Sequence, residues 1–264
     1  MAKYNAVNGV YRKVAKKYDP VDGVYRKVTK AFEPVGGVYR QYFSGDLPVE
    51  TLAVGDSVWL NVNGSLTEFL VVHQGNPDSS LYHESCDGTW LLMKDIYTIR
   101  TWDIVSNDYD WSDIHSYLND TFHDLLDSNI QSAIKSVKIP RYFSDAECVL
   151  GGSSGLDAKI FLLSGYEVGW TVSDGKYFPV DGACLSYFSG CSKTDPKRIA
   201  YYNGTATVWW LRSQSTQNSI YVWYVYSNGG CENFSYNRSY GIRPAFILDS
   251  NTPIDQSTGI NIIA

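Results

Sequence analysis

Two stretches near the C-terminus decide the fold, Trp209-Trp210-Leu211-Arg212 and Gly241-Ile242-Arg243-Pro244-Ala245-Phe246. Both are rich in large apolar and aromatic residues, as is typical of buried strands, and we name them the frame strands. We expect five of their side chains to be structural, with both arginines bonded to buried carbonyl or carboxylate oxygens. These five are Trp209, Trp210, Arg212, Arg243 and Phe246.

The frame strands enclose residues 213–240, the Tyr-rich segment, whose composition is different. Fifteen of its 28 residues are Tyr, Ser or Asn, and its charged residues are Glu232 and Arg238. Antibody binding surfaces share this composition, because Tyr gives large contact area at low entropic cost while Ser and Asn give adaptable hydrogen bonds. The segment therefore predicts a displayed binding surface. An ordinary aromatic-rich sheet edge is the alternative.

Within the Tyr-rich segment we expect thirteen residues to face solvent and bind a ligand. Alternation along residues 221–226 predicts one face with Val222, Tyr224 and Tyr226, and an opposite face with Tyr221, Trp223 and Val225. The predicted ligand-binding set is Ser215, Asn218, Ser219, Tyr221, Tyr224, Tyr226, Asn228, Gly230, Asn233, Phe234, Tyr236, Arg238 and Tyr240.

Short strands are predicted through most of residues 44–264, and a helical pattern interrupts them. The predicted strands are 54–60, 68–72, 90–93, 159–163, 208–211, 221–226 and 242–248. Apolar residues at helical spacing predict a helix from the N-cap Ser112 to Leu126. A second helix is expected to begin near Asp127 or Ser128, to carry Val137 on its apolar face, and to end before Pro140. Strands and helices do not alternate, so the pattern indicates an α+β protein with two helices and short, mostly antiparallel sheets.

The first 43 residues contain three copies of a 14-residue repeat. The copies align at Val7-Asn8-Gly9-Val10-Tyr11-Arg12, Val21-Asp22-Gly23-Val24-Tyr25-Arg26 and Val35-Gly36-Gly37-Val38-Tyr39-Arg40. Their central dipeptides tolerate the positive φ of a type I′ turn, so each copy predicts a β-hairpin. Fourteen residues cannot bury a core alone. We therefore expect an assembly or attachment element at 1–43 and a binding domain at 44–264; a solvated extension is the alternative.

Composition and charge narrow the class of function. With 44% apolar and 19% charged residues, and with no apolar run of 18, the chain is predicted to fold without inserting into a membrane. Its first residues contain no apolar stretch that predicts a secretion signal. Residues 1–43 carry nine Lys/Arg against three Asp/Glu, whereas residues 44–264 carry 13 against 25, which argues against a nucleic-acid ligand.

The five cysteines do not form a C-x-x-C pair, which predicts free thiols in a reducing compartment. A bridge between Cys184 and Cys191 is the alternative.

The sequence offers little for catalysis or metal binding. Residues 151–155 match G-x-S-x-G, but all four histidines precede them, so the order of a hydrolase triad is missing. His115 and His123 lack zinc-site spacing, and we expect them on a helix surface. The pattern of a calcium loop is absent from the acidic cluster formed by Asp103, Asp108, Asp110 and Asp113. We expect a non-enzymatic protein without cofactor or metal, a structural calcium being the alternative.

The frame strands with the segment between them resemble variable proteins of diversity-generating retroelements. That family has a C-type-lectin-like fold, in the branch shared with formylglycine-generating enzymes. Residues 112–119 and 160–164 also resemble related domains from phages and prophages of gut bacteria. The V-x-G-V-Y-R repeats are similar to N-terminal modules of tail-associated proteins in such phages.

The resemblance implies a surface diversified by adenine-directed mutagenesis, largely at Asn-type codons, with the variable region at about 213–240. All thirteen predicted site residues are attainable from such codons, whereas Trp223, Glu232 and Gln217 are not. Gln214 stands where relatives often have Pro. The signatures of calcium-dependent sugar-binding lectins and the catalytic cysteines of formylglycine-generating enzymes are not found.

These observations predict a non-enzymatic protein that binds a receptor or other ligand, an unidentified protein or glycan on a target cell. The resemblance implies a place on the phage tail in the virion, after synthesis in the bacterial cytoplasm, or alternatively on a bacterial cell surface. The repeats predict a homo-oligomer, most plausibly a trimer. The alternatives are a tail or cell-surface assembly module without a variable ligand, and an enzyme of the formylglycine-generating branch.

Overall fold

A computed structural model describes residues 47–171, 178–256 and 258–263 in full, and the backbone strands of an N-terminal arm within residues 1–46. The arm strands are β1 (Tyr4–Val7), β2 (Val10–Lys13), β3 (Tyr18–Val21), β4 (Val24–Lys27), β5 (Lys30–Val35) and β6 (Val38–Ser44). The next strands are β7 (Leu47–Pro48), β8 (Ser57–Val62), β9 (Ser65–Gln74), β10 (Thr89–Met93), β11 (Thr98–Thr101), β12 (Val137–Ile139), β13 (Arg141–Phe143), β14 (Cys148–Leu150), β15 (Leu156–Ala158) and β16 (Ile160–Phe161). The remaining strands are β17 (Ala200–Tyr202), β18 (Thr205–Thr207), β19 (Trp209–Gln214), β20 (Tyr221–Val225), β21 (Cys231–Ser235), β22 (Ser239–Ile242), β23 (Ala245–Leu248) and β24 (Pro253–Ile254). The α-helices are α1 (Asp113–Tyr117) and α2 (Ser128–Ala133).

Two five-stranded sheets form the body of the protein. Sheet I has the strand order β16-β23-β10-β9-β8, and sheet II has the order β11-β22-β19-β20-β21. Neighbouring strands are antiparallel except β19 and β22, which pair in parallel where Trp209 meets Gly241. The prediction of an α+β protein with two helices and mostly antiparallel sheets is confirmed.

A bent ribbon joins the two sheets. The segment β10–β11 runs antiparallel to β22–β23, with β10 and β23 in sheet I and β11 and β22 in sheet II. At the bend, the Met93 amide donates to the Pro244 carbonyl at 2.9 Å, and Arg243 Nε donates to the Met93 carbonyl at 2.7 Å. The expectation of one continuous strand over 242–248 is wrong, because proline has no N–H for the ladder and the chain changes sheets there.

The first helix begins where the sequence predicts it. Ser112 is the N-cap, and its Oγ accepts from the His115 amide at 3.1 Å. The helix continues beyond α1 as a π-helical turn at 118–122 and a 3₁₀ turn at 123–125, so the predicted helical stretch is present but its pitch changes. His115 is half-buried and packs on Tyr109 with ring centroids 5.0 Å apart, so its expected surface position is wrong.

The second helix ends earlier than predicted. It stops at Ala133, because Ile134 is extended and bridges to Leu248 at the margin of sheet I. Val137, expected on the apolar face of this helix, lies instead in β12 and pairs with Ala158 of β15. Contacts with the sheets thus override the local helical pattern.

A buried ionic network around Arg212 anchors β19. Arg212 is 3% exposed, and its guanidinium donates to both carboxylate oxygens of Glu167, at 2.5 and 2.7 Å. It also donates to the carbonyl oxygens of Pro140 at 3.3 Å, Leu162 at 2.9 Å and Asp181 at 2.8 Å. All five N–H donors of the side chain therefore have acceptors. Together with the burial of the other frame residues, this confirms that Trp209, Trp210, Arg212, Arg243 and Phe246 are structural.

The arm contains three antiparallel strand pairs at equivalent places in the repeat. β1 pairs with β2, β3 with β4 and β5 with β6, and the innermost partners are the corresponding valines of each copy. The predicted turn dipeptides at 8–9, 22–23 and 36–37 lie outside the described residues. β6 extends one residue past the expected boundary at 43, and Leu47 of β7 pairs with Ile254 of β24.

All five cysteines are free thiols, as predicted, and Cys184 and Cys191 are not bridged. None of the helices in the described part of the chain has both the length and the apolar character that a membrane span requires.

The network around Arg212 predicts a large effect on stability. Arg212→Met leaves the Glu167 carboxylate buried without its cation, so we expect the free energy of unfolding to fall by about 3–5 kcal/mol. Adding Glu167→Leu should recover part of the loss, since the uncompensated charge is then gone. Urea unfolding measures both effects. The exposed Arg238→Met is the matched control, with a change within about 0.5 kcal/mol; an equal loss in this control would contradict the assignment.

Asp181 predicts a pH dependence of stability. Burial raises the pKa of this carboxyl to about 7, and the Arg212 guanidinium and the Ser213 hydroxyl oppose the shift. In the unfolded chain it titrates near pH 4. Between these two values the folded protein holds a proton that the unfolded chain has lost, so this group's contribution to stability declines as pH rises from about 4 to about 7. The free energy of unfolding, measured against Asp181→Asn, should fall across this window and then level off. A difference in unfolding free energy that stays constant or grows between about pH 4 and about pH 7 would contradict the raised pKa of Asp181.

Candidate functional site

The Tyr-rich segment folds as an exposed loop at 215–220, strand β20, a turn at 226–230, strand β21 and a turn at 236–238. β20 lies between β19 and β21. All its residues from Val222 to Val225 are buried, so neither face of the strand is exposed over this stretch. Trp223 packs against Phe178 on one side, with ring centroids 5.4 Å apart. The surface of the segment is therefore at the two ends of β20 and along β21.

A row of aromatic side chains crosses sheet II beneath this surface. The strand registers pair Arg100 with Tyr240, and they align Trp210, Tyr224 and Glu232 across β19, β20 and β21. The rings of Trp210 and Tyr240 join these two sets by a diagonal contact across the parallel pair β19–β22. Ring centroids are 4.5 Å apart between Trp210 and Tyr240, and 4.9 Å apart between Tyr224 and Tyr240. Tyr240 is half-buried. The row thus ends in an exposed cation on one edge strand and an exposed carboxylate on the other.

Tyr224 belongs to this row and is 8% exposed, so its predicted solvent-facing position is wrong. Burial, with Tyr240 and Glu232 close by, raises the pKa of its hydroxyl to about 12. Tyr224 is buried because its ring packs against Trp210 of β19, with centroids 6.1 Å apart, and against Tyr240 of β22.

Ser215 is 6% exposed, and its predicted exposure is also wrong. Its amide donates to the Tyr221 carbonyl at 3.0 Å, and its Oγ accepts from the Gln217 amide at 3.3 Å. Ser215 therefore closes the base of the exposed loop.

The first of two clefts, the amide cleft, lies at the start of β20 and has a volume of about 600 Å³. Asn107 fixes one wall to the loop, since its Nδ2 donates to the carbonyls of Asn218 at 3.4 Å and Tyr221 at 3.2 Å. Most of the lining residues carry a hydroxyl or an amide. They are Val105, Ser106, Asn107, Tyr142, Ser144, Glu147, Gln214, Ser215, Thr216, Gln217, Asn218, Ser219, Ile220 and Tyr236.

The second cleft, the turn cleft, lies at the opposite end of β20 and has a volume of about 560 Å³. Gly229 shapes its turn with a φ of +80°, and a Cβ there would come within 2.3 Å of the Asp195 carbonyl. Tyr226 is 46% exposed, and the Asn228 side chain accepts from the Gly230 amide at 2.9 Å. The lining is formed by Trp170, Lys193, Thr194, Tyr226, Asn228, Gly230, Cys231 and Glu232.

A ring stack lies along β21 between the clefts. Tyr221 and Phe234 stack with centroids 6.0 Å apart and planes 5° apart, and the Arg238 guanidinium lies 5.1 Å from the Phe234 ring. Asn233, half-buried, pairs in register with Trp223. Five strand residues separate the clefts by about 16 Å.

Of the thirteen predicted residues, the eleven that reach the surface form a strip with a cleft at each end. The exposed members are Ser219, Tyr226, Asn228, Phe234 and Arg238. The half-buried members are Asn218, Tyr221, Gly230, Asn233, Tyr236 and Tyr240, and the buried members are Ser215 and Tyr224.

Sequence reasoning missed the cleft walls that come from distant segments. The turn cleft takes Trp170, Lys193 and Thr194 from before β17. The amide cleft takes residues 105–107 and also Tyr142, Ser144 and Glu147. The sequence did contain one signal for the wall of the amide cleft, the apolar pair Ile104-Val105 within an acidic loop. In the structure both side chains are at least three-quarters exposed.

Asp103, in the acidic cluster, accepts hydrogen bonds from three backbone amides. Asp103 Oδ1 accepts from the amides of Val105 at 2.5 Å and Ser106 at 3.0 Å, and its Oδ2 accepts from the Asp113 amide at 3.1 Å. Within the described ranges, no three His, Cys, Asp or Glu side chains are grouped so that they could hold a metal ion.

Two tyrosines two residues apart give a matched pair of predictions. Tyr224→Ala removes a buried ring from the aromatic row and should lower the free energy of unfolding by about 3 kcal/mol. Tyr226→Ala removes an exposed ring and should change it by no more than about 0.5 kcal/mol. Thermal or urea unfolding of both variants measures these two changes in stability. Equal losses of stability would contradict the assignment of Tyr224 to the buried row and of Tyr226 to the exposed turn.

Residues 87–250 match a family described as a domain of unknown function, DUF6273. This range runs from β10 to β23 and contains every residue that lines either cleft. No curated protein and no solved structure matches the chain. Because the match covers more than half of its length, the chain belongs to the DUF6273 family.

Proposed function

We propose that this protein is a non-enzymatic receptor- or ligand-binding protein that displays a diversified surface on a C-type-lectin-like scaffold. One observation carries the proposal: buried frame strands flank a segment whose Tyr, Ser and Asn side chains gather at two clefts. Tyr226, Asn228 and Ser219 reach solvent from turns, while the frame residues beside them have almost no exposed surface.

Because the exposed side chains are separate from the buried frame residues, the surface can change its side chains while the fold is kept. Exposed substitutions away from caps and strained turns typically change stability by less than about 0.5 kcal/mol, whereas truncating a buried aromatic residue costs about 3–5 kcal/mol. Ser219, Tyr226, Phe234 and Arg238 are on the tolerant side of this division. Large aromatic side chains and arginine are also the residues that dominate binding energy at interfaces.

The proposal extends to the arm and to location. In it, the three strand pairs of residues 1–43 form a hairpin repeat that joins copies of the chain, most plausibly as a trimer, since two-stranded pairs leave edges open for neighbouring chains. The binding domain is then presented on a phage tail or, alternatively, on a bacterial cell surface. A near-copy of codons 213–240 that differs mainly at adenines, beside a reverse transcriptase gene, would support diversification. Its absence would favour a purely structural assembly module.

The binding function predicts a loss that is confined to the strip. Fluorescently labelled full-length protein should stain a subset of bacterial strains in flow cytometry. Tyr226→Ala and Arg238→Ala should each weaken that binding by about 1–3 kcal/mol, because exposed Tyr and Arg are typical binding hot spots. Thr205→Ala, an exposed change in β18 outside both clefts, is the control and should bind as the parent does. Equal binding by all three variants would refute the assigned surface.

The assembly role predicts a change of mass. Light scattering should give an oligomer for the full chain and a monomer for a chain that begins at residue 44, because the open strand edges of the arm are then gone. A monomer in both cases would contradict assembly through the arm.

A further inference from the structure

Gln214, which lines the amide cleft, has a buried and unpaired side-chain acceptor. Gln214 is 3% exposed, and its Nε2 donates to the Tyr142 carbonyl at 3.1 Å. A carbonyl oxygen only accepts, so this bond fixes which end of the Gln214 amide is nitrogen. The other end, Oε1, has no hydrogen-bond partner among the described residues. Burying an acceptor without a partner costs free energy, which a ligand donor at this position would recover.

The rest of the lining matches a ligand with many hydroxyl groups. Ser106 Oγ accepts from the Asp108 amide at 3.0 Å and Ser215 Oγ accepts from the Gln217 amide, so each hydroxyl still has a hydrogen to donate. A sugar hydroxyl both donates and accepts, and therefore pairs with serine hydroxyls and with side-chain amides alike. Tyr142 and Tyr236, both half-buried, add ring surface to the same cleft.

The charge of the lining favours a neutral ligand. Glu147 is the one ionisable acid among the described lining residues, and no Lys or Arg accompanies it. An acidic sugar or a phosphate would meet repulsion without a counter-charge. The turn cleft differs, since Lys193 and Glu232 both line it.

A peptide fits the amide cleft less well. Peptides are usually held by pairing with a strand edge or by apolar anchors in a groove. Here the polar groups belong to side chains, and the aliphatic residues of the lining are Val105 and Ile220.

We propose that the amide cleft is a binding site for a neutral saccharide. A sugar hydroxyl donates to Gln214 Oε1, neighbouring hydroxyls exchange hydrogen bonds with Ser106 and Ser215, and a Tyr142 or Tyr236 ring covers an apolar face of the sugar. This inference rests on the proposed binding function and names the ligand class for one end of the strip.

The experiment uses full-length protein on an array of immobilised compounds. The array carries neutral hexose and N-acetylhexosamine oligosaccharides, their sialylated and sulfated counterparts, and unmodified peptides. We expect binding to neutral oligosaccharides, binding to the acidic counterparts that is weaker by about tenfold or more, and none to peptides.

Two variants locate the site. Gln214→Met keeps the side chain's length but removes the acceptor, and Ser219→Trp fills the cleft from an exposed position. Each should weaken saccharide binding by about tenfold or more. Thr205→Trp is the control, because it adds the same ring at an exposed position outside both clefts. Thermal unfolding confirms that the variants are folded; if Gln214→Met is not, Ser219→Trp and its control decide the outcome.

Three results would overturn the inference: preference for the peptides, failure to bind any neutral oligosaccharide, or saccharide binding that Ser219→Trp leaves unchanged. The wider proposal is judged separately by cell staining. Cells stained without any saccharide binding would remove the ligand class and leave the binding function intact. If the protein neither stains cells nor binds a saccharide, the binding function and the ligand class are both refuted.

Discussion

The fold of the two-sheet body depends on one buried arginine, Arg212. Arg212 lies on β19, at the base of the Tyr-rich segment, and bonds to Glu167 and to three carbonyl oxygens from distant parts of the chain. A buried guanidinium is tolerated when a carboxylate balances its charge and every N–H has an acceptor, and Arg212 meets both conditions. Tyr82 and Ser213 extend the network through Glu167 and Asp181. The position of the loop and turns above β19 therefore follows from a set of bonds that has few alternative arrangements.

The network and the bent ribbon together fix the backbone positions from which the side chains of the strip project. Arg243 holds the bend between the two sheets, and Arg212 holds β19 beside it. Between these fixed points the chain leaves the core and returns to it, so that Tyr226 and Ser219 occupy tips supported by buried strands. Sites built on rigid elements keep their geometry when exposed side chains change. The strip thus combines fixed backbone positions with side chains that carry little of the fold's stability.

Residue type and spacing predicted those features of the structure that depend on residues close together in the sequence. Ser112 was identifiable as an N-cap, and the tryptophans of the frame strands as core, from residue type and spacing alone. The burial of Tyr224 was not predictable in this way, because it depends on two strands that happen to flank β20. Helix α2 stops early for a similar reason, since Ile134 is drawn to Leu248 of sheet I. The walls contributed by Trp170 and Tyr142 come from segments that no periodicity connects to the Tyr-rich segment.

The strand order of sheet I also bears on how the protein is made. β23 lies between β10 and β16, although it begins 152 residues after β10 ends and 84 residues after β16 ends. β7 likewise pairs with β24, and the Trp59 amide donates to the Asn261 carbonyl at 2.8 Å. Early strands therefore leave the ribosome without the partners that complete their sheet, and their apolar faces and open edges stay uncovered until the last strands emerge. Closure of the domain therefore waits until β23 and β24 have emerged, and until then the uncovered strands of one nascent chain are open to pairing with those of another.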